Sequence, residues 1–228
     1  MASLVQAVGS TNSSAEPFTV TVGTSGLGSN VTAGSLLVLV VHTYSNSVTV
    51  VDVTDDKSNT WVEAVTARSG SITERVQIWY ATNVAAGATA ITVDQSGSTN
   101  RRWHVYEVSG FTDWGALTVI TSENASNSST PSLTLTSVEA NSFVIGGISI
   151  QDQSFTPGGA YTQAYNGSGN YRQSGQYDAD SGAAGNVTVD CTLGGATNWN
   201  FAAVAFGEQV SGGSIAPHSM HYHLRGMR

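Results

Sequence analysis

Four oxygen-bearing side chains lie close together in the stretch DVTDDKSNT and have the chemistry to bind calcium. They are Asp52, Asp55, Asp56 and Asn59. Calcium takes about six to eight oxygen ligands, which closely spaced carboxylates can supply. The alternative is a hairpin turn, in which Asp and Asn side chains bond to their own backbone. Lys57 within the stretch and the lack of an EF-hand pattern favour the turn, so we predict no metal site here.

The sequence gives only weak indications of catalytic residues. His104 and Glu107 are the types of residue that relay protons, but they lie three positions apart in an alternating segment and are expected on opposite faces of a strand. The chain has no Gly-x-Ser-x-Gly elbow, no zincin motif and no phosphate loop. Nothing marks any two of the sixteen acidic residues as a glycosidase pair. We therefore predict a protein that is not an enzyme, with no catalytic residue and no cofactor.

An aromatic-rich segment, residues 155–177, offers a possible glycan site. Aromatic faces stack on sugar rings, and neighbouring Asn and Gln amides supply hydrogen bonds. The alternative is that some of these rings belong to the core and the rest to hairpin loops. The candidate glycan-facing residues are Tyr161, Tyr165, Tyr171 and Tyr177.

The C-terminal segment differs in composition from the rest of the chain. It carries three histidines, His218, His221 and His223, and two arginines behind a Gly-Gly hinge. Imidazoles at this spacing could bind a transition metal, but no carboxylate lies near them to orient the rings, and we predict no metal. The mixture of Met, Tyr, Leu and Arg is typical of interfaces. We predict a subunit-docking arm formed by Ile215, Met220, His221, Tyr222, His223, Leu224, Arg225, Met227 and Arg228.

Strands must position all of these residues. Period-2 alternation of β-branched and aromatic residues recurs about every ten residues. Turn clusters separate these segments, and no stretch has a helical period. The segments are FTVTV, SVTVVDV, RVQIWYA, ATAITVD, RWHVYEV, SLTLT, NVTVDCTL and NFAAVAF. We predict an all-β fold, an antiparallel two-sheet β-sandwich, because each alternating strand needs a second sheet to cover its apolar face.

The chain also contains an internal repeat. VTAGSLLVLVV aligns with VEANSFVIGGI, and WHVYEV aligns with WNFAAV. The alignment predicts two pseudo-repeated halves, at about residues 17–110 and 131–207, within a β-sandwich domain at 1–210 followed by a flexible hinge and docking arm at 211–228. It places Trp103 and Trp199 at equivalent positions. The halves either share one sandwich or form two small ones.

Composition excludes some partners. Residues 1–210 hold all sixteen acidic residues and six of the eight basic ones, a net charge of −10. This charge argues against nucleic acid, whose phosphates need a basic surface. The longest apolar run, LLVLVV, is far shorter than the roughly 20 residues of a membrane helix. The N-terminal sequence has no Sec-type signal, so we expect synthesis in the cytoplasm.

Four ordered motifs resemble a known type of module. AGSLLVLVV, VTDDKSNTW, IWYATNVAAGATAITVD and YEVSGF are similar to a β-sandwich module of bacteriophage virion proteins and large bacterial surface proteins. The resemblance covers about residues 17–207 and implies a jelly-roll-like sandwich with a structural or adhesive role and no catalytic residues. In one turn this chain has Lys57, Ser58 and Asn59 where the pattern prefers Gly-Asn, which alters the turn chemistry but hardly the fold.

These features together favour a virion structural protein of a bacteriophage, such as a capsid decoration (cement) or head-fibre subunit. Its expected partners are protein subunits of the same virion, both copies of itself in a homo-oligomer and the major capsid protein. The expected location is the virion, after synthesis in the host cytoplasm. The alternative is a carbohydrate-binding or adhesion module of a fibre or bacterial surface protein.

Overall fold

The computed structural model describes residues 2–11, 16–23, 28–69, 71–167 and 171–209. Over these residues the chain forms sixteen strands and no helix. The first half contains β1 (Ser3–Thr11), β2 (Phe18–Val22), β3 (Leu36–Thr43), β4 (Val50–Asp55), β5 (Trp61–Arg68), β6 (Arg75–Ala81), β7 (Thr89–Gln95) and β8 (Arg101–Ser109). The second half contains β9 (Leu117–Ser128), β10 (Ser132–Val138), β11 (Phe143–Gln151), β12 (Phe155–Pro157), β13 (Thr162–Asn166), β14 (Tyr171–Asp178), β15 (Gly185–Leu193) and β16 (Thr197–Glu208).

Both halves have the same strand topology. In the first half, β1-β8-β3-β6-β5 form a five-stranded sheet and β2-β7-β4 a three-stranded sheet. In the second half, β13-β14-β11-β16-β9 and β10-β15-β12 form the corresponding sheets. The antiparallel pairing of the first strand with the eighth, the second with the seventh and the third with the sixth gives each half the nested order of a jelly roll. The predicted antiparallel β-sandwich built from two pseudo-repeated halves is confirmed.

Each half begins one strand earlier than the sequence alignment. The aligned halves start at residues 17 and 131, whereas β1 and β9 precede those positions and pair with β8 and β16. These two strands lie at the edges of the five-stranded sheets. Their sequences share no motif, so alignment alone does not relate them.

Three apolar cores hold the four sheets together. Two lie inside the sandwiches, between the five-stranded and the three-stranded sheet of each half. The third lies between the two five-stranded sheets, where Val38 and Val40 pack in one cluster with Ile145 and Val204. Every residue of Leu36–Thr43 is therefore buried, because both faces of the sheet are covered. Of the two arrangements that the sequence left open, the chain adopts two sandwiches packed against each other.

The two sandwiches pack with their equivalent central strands, β3 and β11, against each other. Aligning the first residues of these strands makes Val40 equivalent to Gly147 and His42 equivalent to Ser149. The equivalent residues meet: His42 Nδ1 lies 3.0 Å from Ser149 Oγ, and a Cβ on Gly147 would lie 2.9 Å from Val40 Cγ1. In the same interface β5 lies against β9 and β6 against β16. The chain thus joins two sandwiches of the same strand topology through one shared core.

The two tryptophans lie on equivalent strands but not at equivalent positions. Trp103 of β8 pairs with Val41 of β3, whereas Trp199 of β16 pairs with Ile150 of β11. The residue of β16 that corresponds to Trp103 in this register is Phe201. A shift of two residues keeps a side chain on the same face, so each tryptophan is buried in the core of its own sandwich.

Candidate functional site

The tyrosines of the predicted glycan platform are largely parts of the core. Tyr161 is 8% exposed, packs inside the second sandwich and donates its hydroxyl to Thr188 O at 3.0 Å. Tyr165 is 9% exposed and lies between the sandwiches. For these two rings the structure supports the alternative that they belong to the core, because covered sheets bury them. Tyr177 is half-buried beside Phe143, and the side chain of Tyr171 lies outside the described residues.

The acidic stretch between β4 and β5 forms a turn, as predicted. Asp55 Oδ1 accepts hydrogen bonds from the backbone amides of Lys57 and Asn59, both at 3.0 Å. Its Oδ2 accepts from Asn59 Nδ2 and Trp61 Nε1, both at 2.8 Å. Asp56 accepts a hydrogen bond from a backbone amide of β7. Asp55 therefore forms its hydrogen bonds within the turn, and Asp56 connects the turn to β7.

His104 and Glu107 lie on opposite faces of β8, as predicted. Glu107 accepts hydrogen bonds from Thr32 N at 2.7 Å and Ser35 Oγ at 2.9 Å, on the side of the first sandwich's own core. His104 faces the second sandwich, where it stacks on Tyr165. The two residues cannot form a proton relay.

A cluster of polar side chains is buried between the two sandwiches. His42 of β3 forms hydrogen bonds with the hydroxyls of Ser149 on β11 and Tyr165 on β13. The Tyr165 ring also stacks on His104, with ring centroids 3.5 Å apart and planes within 7° of parallel. Gly9 of β1 makes room for this stack, because a Cβ there would lie 2.1 Å from His104 Nδ1. The cluster thus connects both halves of the chain.

A second part of the same cluster surrounds Glu74, just before β6. Gln173 Nε2 donates a hydrogen bond to the Glu74 carboxyl group at 2.7 Å. Asn200 Nδ2 donates to the Glu74 backbone carbonyl, also at 2.7 Å. Tyr44 donates its hydroxyl to Gln173 Oε1 at 2.9 Å. Glu74 and Tyr44 belong to the first half and their partners to the second, so these bonds also join the sandwiches.

Burial determines the charge of this cluster. It lowers the pKa of His42 well below the usual value, and the charges of His104 and Arg102 lower it further. Burial and Arg102 lower the pKa of His104 to about 3. Burial raises the pKa of Glu74 to about 8, although its hydrogen bonds and Arg102 favour the carboxylate. At neutral pH both histidines are therefore neutral and Glu74 is protonated.

The pairing of Ser149 with His42 resembles the nucleophile and base of acyl-transfer enzymes. Both side chains have no exposed surface, so no substrate can reach them in this arrangement. We interpret the cluster as a set of directional contacts that fixes how the sandwiches are positioned. Sequence analysis missed it. The sequence contained one indication, a histidine directly after the apolar run LLVLVV. If both faces of that strand are buried, the histidine side chain must form hydrogen bonds with other buried polar groups.

The edges of the four sheets present backbone N–H and C=O groups to which a strand of another chain could bind. Eight strands form these edges. Two are short, since β2 has five residues and β12 has three. Five have an irregular register or β-bulge: β1, β4, β5, β10 and β13. Short strands and bulges both hinder the addition of a further strand.

The exception is β9. Its twelve residues pair with β16 in unbroken register, from Leu117 opposite Glu208 to Ser128 opposite Thr197. On its other side β9 has no partner strand within the part of the chain that the structure describes. Most of its side chains are half-buried or exposed. This edge is the candidate interaction site of the molecule.

The predicted docking arm lies outside the described residues, which end at 209. This holds for Ile215, Met220, His221, Tyr222, His223, Leu224, Arg225, Met227 and Arg228, and for His218. Among the residues that are described, no group of three or more His, Cys, Asp or Glu side chains is arranged to hold a metal ion.

The comparisons with known proteins give no family for this chain. In the described ranges, no helix is long and apolar enough to cross a membrane. No family model, no curated protein and no solved structure matches the chain.

Proposed function

We propose that this chain is a non-enzymatic structural protein of a bacteriophage virion, a capsid decoration (cement) or head-fibre subunit. The observation that carries the proposal is the packing of two jelly-roll-like sandwiches of the same topology against each other through a shared core. This arrangement makes a rigid block, since the sheets at its centre are covered on both faces. The four ordered motifs that resemble virion modules agree with it.

The surface of this block suits binding to other protein subunits. Only 11% of all residues are charged, and the exposed positions of strands such as β9 and β15 are mainly Ser, Thr and Asn. The buried His-Ser pair is inaccessible to a substrate, which favours a structural role over a catalytic one. The proposed partners are further copies of this chain and the major capsid protein, with the C-terminal arm as a contact. The proposed location is the virion.

The test is to look for the protein in purified particles of the phage whose genome encodes it. Particles banded by density are analysed by mass spectrometry and labelled with an antibody against the chain for electron microscopy. We expect many copies per particle and label on the head. A non-virion protein of the same phage serves as the control for contamination. Absence of the chain from banded particles, with the protein left in the soluble lysate, would overturn the proposal.

A further inference from the structure

The backbone groups on the outer side of β9 can be identified from the ladder. Gln209 N donates a hydrogen bond to Ala116 O at 2.9 Å, which extends the β9–β16 ladder by one pair. Hydrogen-bonded and non-hydrogen-bonded pairs alternate in an antiparallel ladder, so the even-numbered residues of β9 bond to β16. Ala125 agrees, because its N–H donates to Asn124 Oδ1 at 2.8 Å. The residues whose N–H and C=O face outward are Leu117, Val119, Thr121, Glu123, Ala125 and Asn127.

This outward row has the chemistry to bind an extended polypeptide. Apart from Ala125 N–H, which donates to Asn124 Oδ1, the outward donors and acceptors alternate over twelve residues, about 40 Å at ~3.3 Å per residue, and match the backbone of an antiparallel strand. β9 contains no Pro, Lys or Arg, and its one charge is Glu123. Proteins commonly protect long edge strands with prolines, lysines or bulges. β9 has none of these, whereas the other seven edges are irregular or short.

The C-terminal segment has a matching length and charge. Residues 215–228 follow the Gly-Gly hinge and number fourteen, against the twelve residues of β9. They contain two arginines, three histidines and no acidic residue, whereas residues 1–210 carry a net charge of −10. Pairing with β9 would bring this basic segment to Glu123 and to an acidic body.

The segment must come from another copy if it pairs antiparallel, as every strand pair of this fold does. β16 ends beside Leu117, where β9 begins. An antiparallel strand would have to start at the Ser128 end, about 40 Å away. Residues 210–214 span at most about 17 Å. We infer that the outer edge of β9 accepts residues 215–228 of a neighbouring copy as an additional antiparallel strand. This inference rests on the docking arm of the proposed function and names its acceptor.

Sedimentation velocity of the purified chain over a range of concentrations tests this inference. Thr121→Pro removes an outward N–H and leaves the ladder to β16 intact, since Pro is tolerated on edge strands at such positions. Thr121→Ala keeps the N–H and is the matched control. We expect the full chain and Thr121→Ala to self-associate alike, and Thr121→Pro to self-associate at least about tenfold more weakly. A chain that ends at residue 214 should stay monomeric, and a synthetic peptide of residues 211–228 should bind it.

Melting temperatures of all variants show whether each is folded, and the truncated chain with the added peptide provides a test that is independent of the proline variant. A full chain that stays monomeric would overturn the inference. So would a truncated chain that associates as tightly as the full one, because another strand would then occupy the edge. Equal association of Thr121→Pro and Thr121→Ala would exclude β9 as the acceptor. These results concern purified protein, so they are independent of whether the chain is found in virions.

Discussion

At the scale of single residues, Ser58 has an unfavourable backbone conformation. It adopts a φ of +60° in the turn between β4 and β5. This left-handed region is unfavourable for residues with a Cβ and favourable for glycine. Asp55 stabilises this turn by accepting four hydrogen bonds.

Ser58→Gly should therefore stabilise the protein. The relief of the left-handed conformation is partly offset by the greater freedom of glycine in the unfolded chain, which leaves a gain of up to about 1 kcal/mol. For a chain of this size that corresponds to about 2–4 °C in melting temperature. Ser58→Ala, which keeps the Cβ, should give no gain. Equal melting temperatures for the Gly and Ala variants would contradict this explanation.

The buried cluster predicts how stability depends on pH. The folded pKa values of His42 and His104 lie below the usual 6.5, so below pH 6.5 the unfolded chain takes up protons that the folded chain does not. The free energy of unfolding therefore falls as the pH falls. Glu74 acts oppositely: its folded pKa of about 8 exceeds the usual 4.5. Its contribution is complete below pH 4.5 and is lost as the pH rises through 8.

Between pH 6 and 5 the two histidines lower the free energy of unfolding as the pH falls, and Glu74 opposes them. Two histidines against one glutamate leave a net loss of stability as the pH falls. Glu74→Gln removes the opposing contribution, so its free energy of unfolding should fall more steeply with pH than that of the unchanged protein. Denaturant unfolding of both proteins at several pH values measures the two slopes. Contributions from other carboxyl groups cancel in the difference, and equal slopes would show that Glu74 is not protonated in the folded protein.

At the scale of elements, one ion pair connects the start of β8 to the segment before β2. Arg101 has no exposed side-chain surface, and its Nη1 lies 3.0 Å from Glu16 Oε2. The guanidinium also lies over the Phe18 ring, 4.4 Å from the centroid. Both contacts hold the five-stranded sheet of the first half to its three-stranded sheet. A buried charge of this kind depends on its partner, because water cannot replace the lost carboxylate.

Glu16→Gln should lower the free energy of unfolding by about 3 kcal/mol, since it removes the carboxylate charge that lies 3.0 Å from the buried Arg101 Nη1. The matched control is Lys57→Gln, which removes the more exposed pair between Lys57 and Asp56 at 3.8 Å. Exposed pairs contribute about 0–1 kcal/mol. Denaturant unfolding at neutral pH measures both changes. If both variants lowered the free energy of unfolding by a similar small amount, the Glu16 carboxylate would not be required to stabilise the buried Arg101.

At the scale of the whole molecule, the third core joins the two sandwiches into one cooperative unit. The two five-stranded sheets approach closely at Gly147, where a Cβ would lie 2.9 Å from Val40 Cγ1 and 3.1 Å from Val76 Cγ1. Side chains in this region are fully buried, so neither sheet can move without disturbing the other. We expect both halves to unfold in a single transition.

Gly147→Ala should destabilise this packing by about 1–3 kcal/mol, because an added methyl group must displace two valines. The melting temperature should fall by roughly 2–10 °C, still with one transition. Gly159→Ala is the control, since a Cβ there meets nothing within 4 Å, and it should leave the melting temperature nearly unchanged. Two separate transitions in Gly147→Ala would show that the sandwiches fold independently.

Local patterns in the chain were sufficient to predict the repeat, the Asp55 turn and, as alternating segments, eight of the sixteen strands of the described residues. Strand alternation is a property of the backbone, and Asp55 bonds to neighbours within six positions, so both can be inferred from adjacent residues. Alternation also placed His104 and Glu107 on opposite faces correctly. It did not reveal that a second sandwich covers the outer face of each five-stranded sheet. That covering comes from residues about a hundred positions away, such as Ser149 against His42.

This long-range packing explains the differences between the sequence analysis and the structure. Tyr165 has the composition and the loop-like surroundings of a surface ring, yet it is buried because β13 lies under the first sandwich. Trp103 and Trp199 align in sequence, but the pairing of β16 with β11 shifts them by two residues. The alternation of side chains along a strand shows which residues share a face. It does not show what packs against either face. The packing of the four sheets decided that, and it also determined the buried cluster and the long, regular edge of β9 among the described strands.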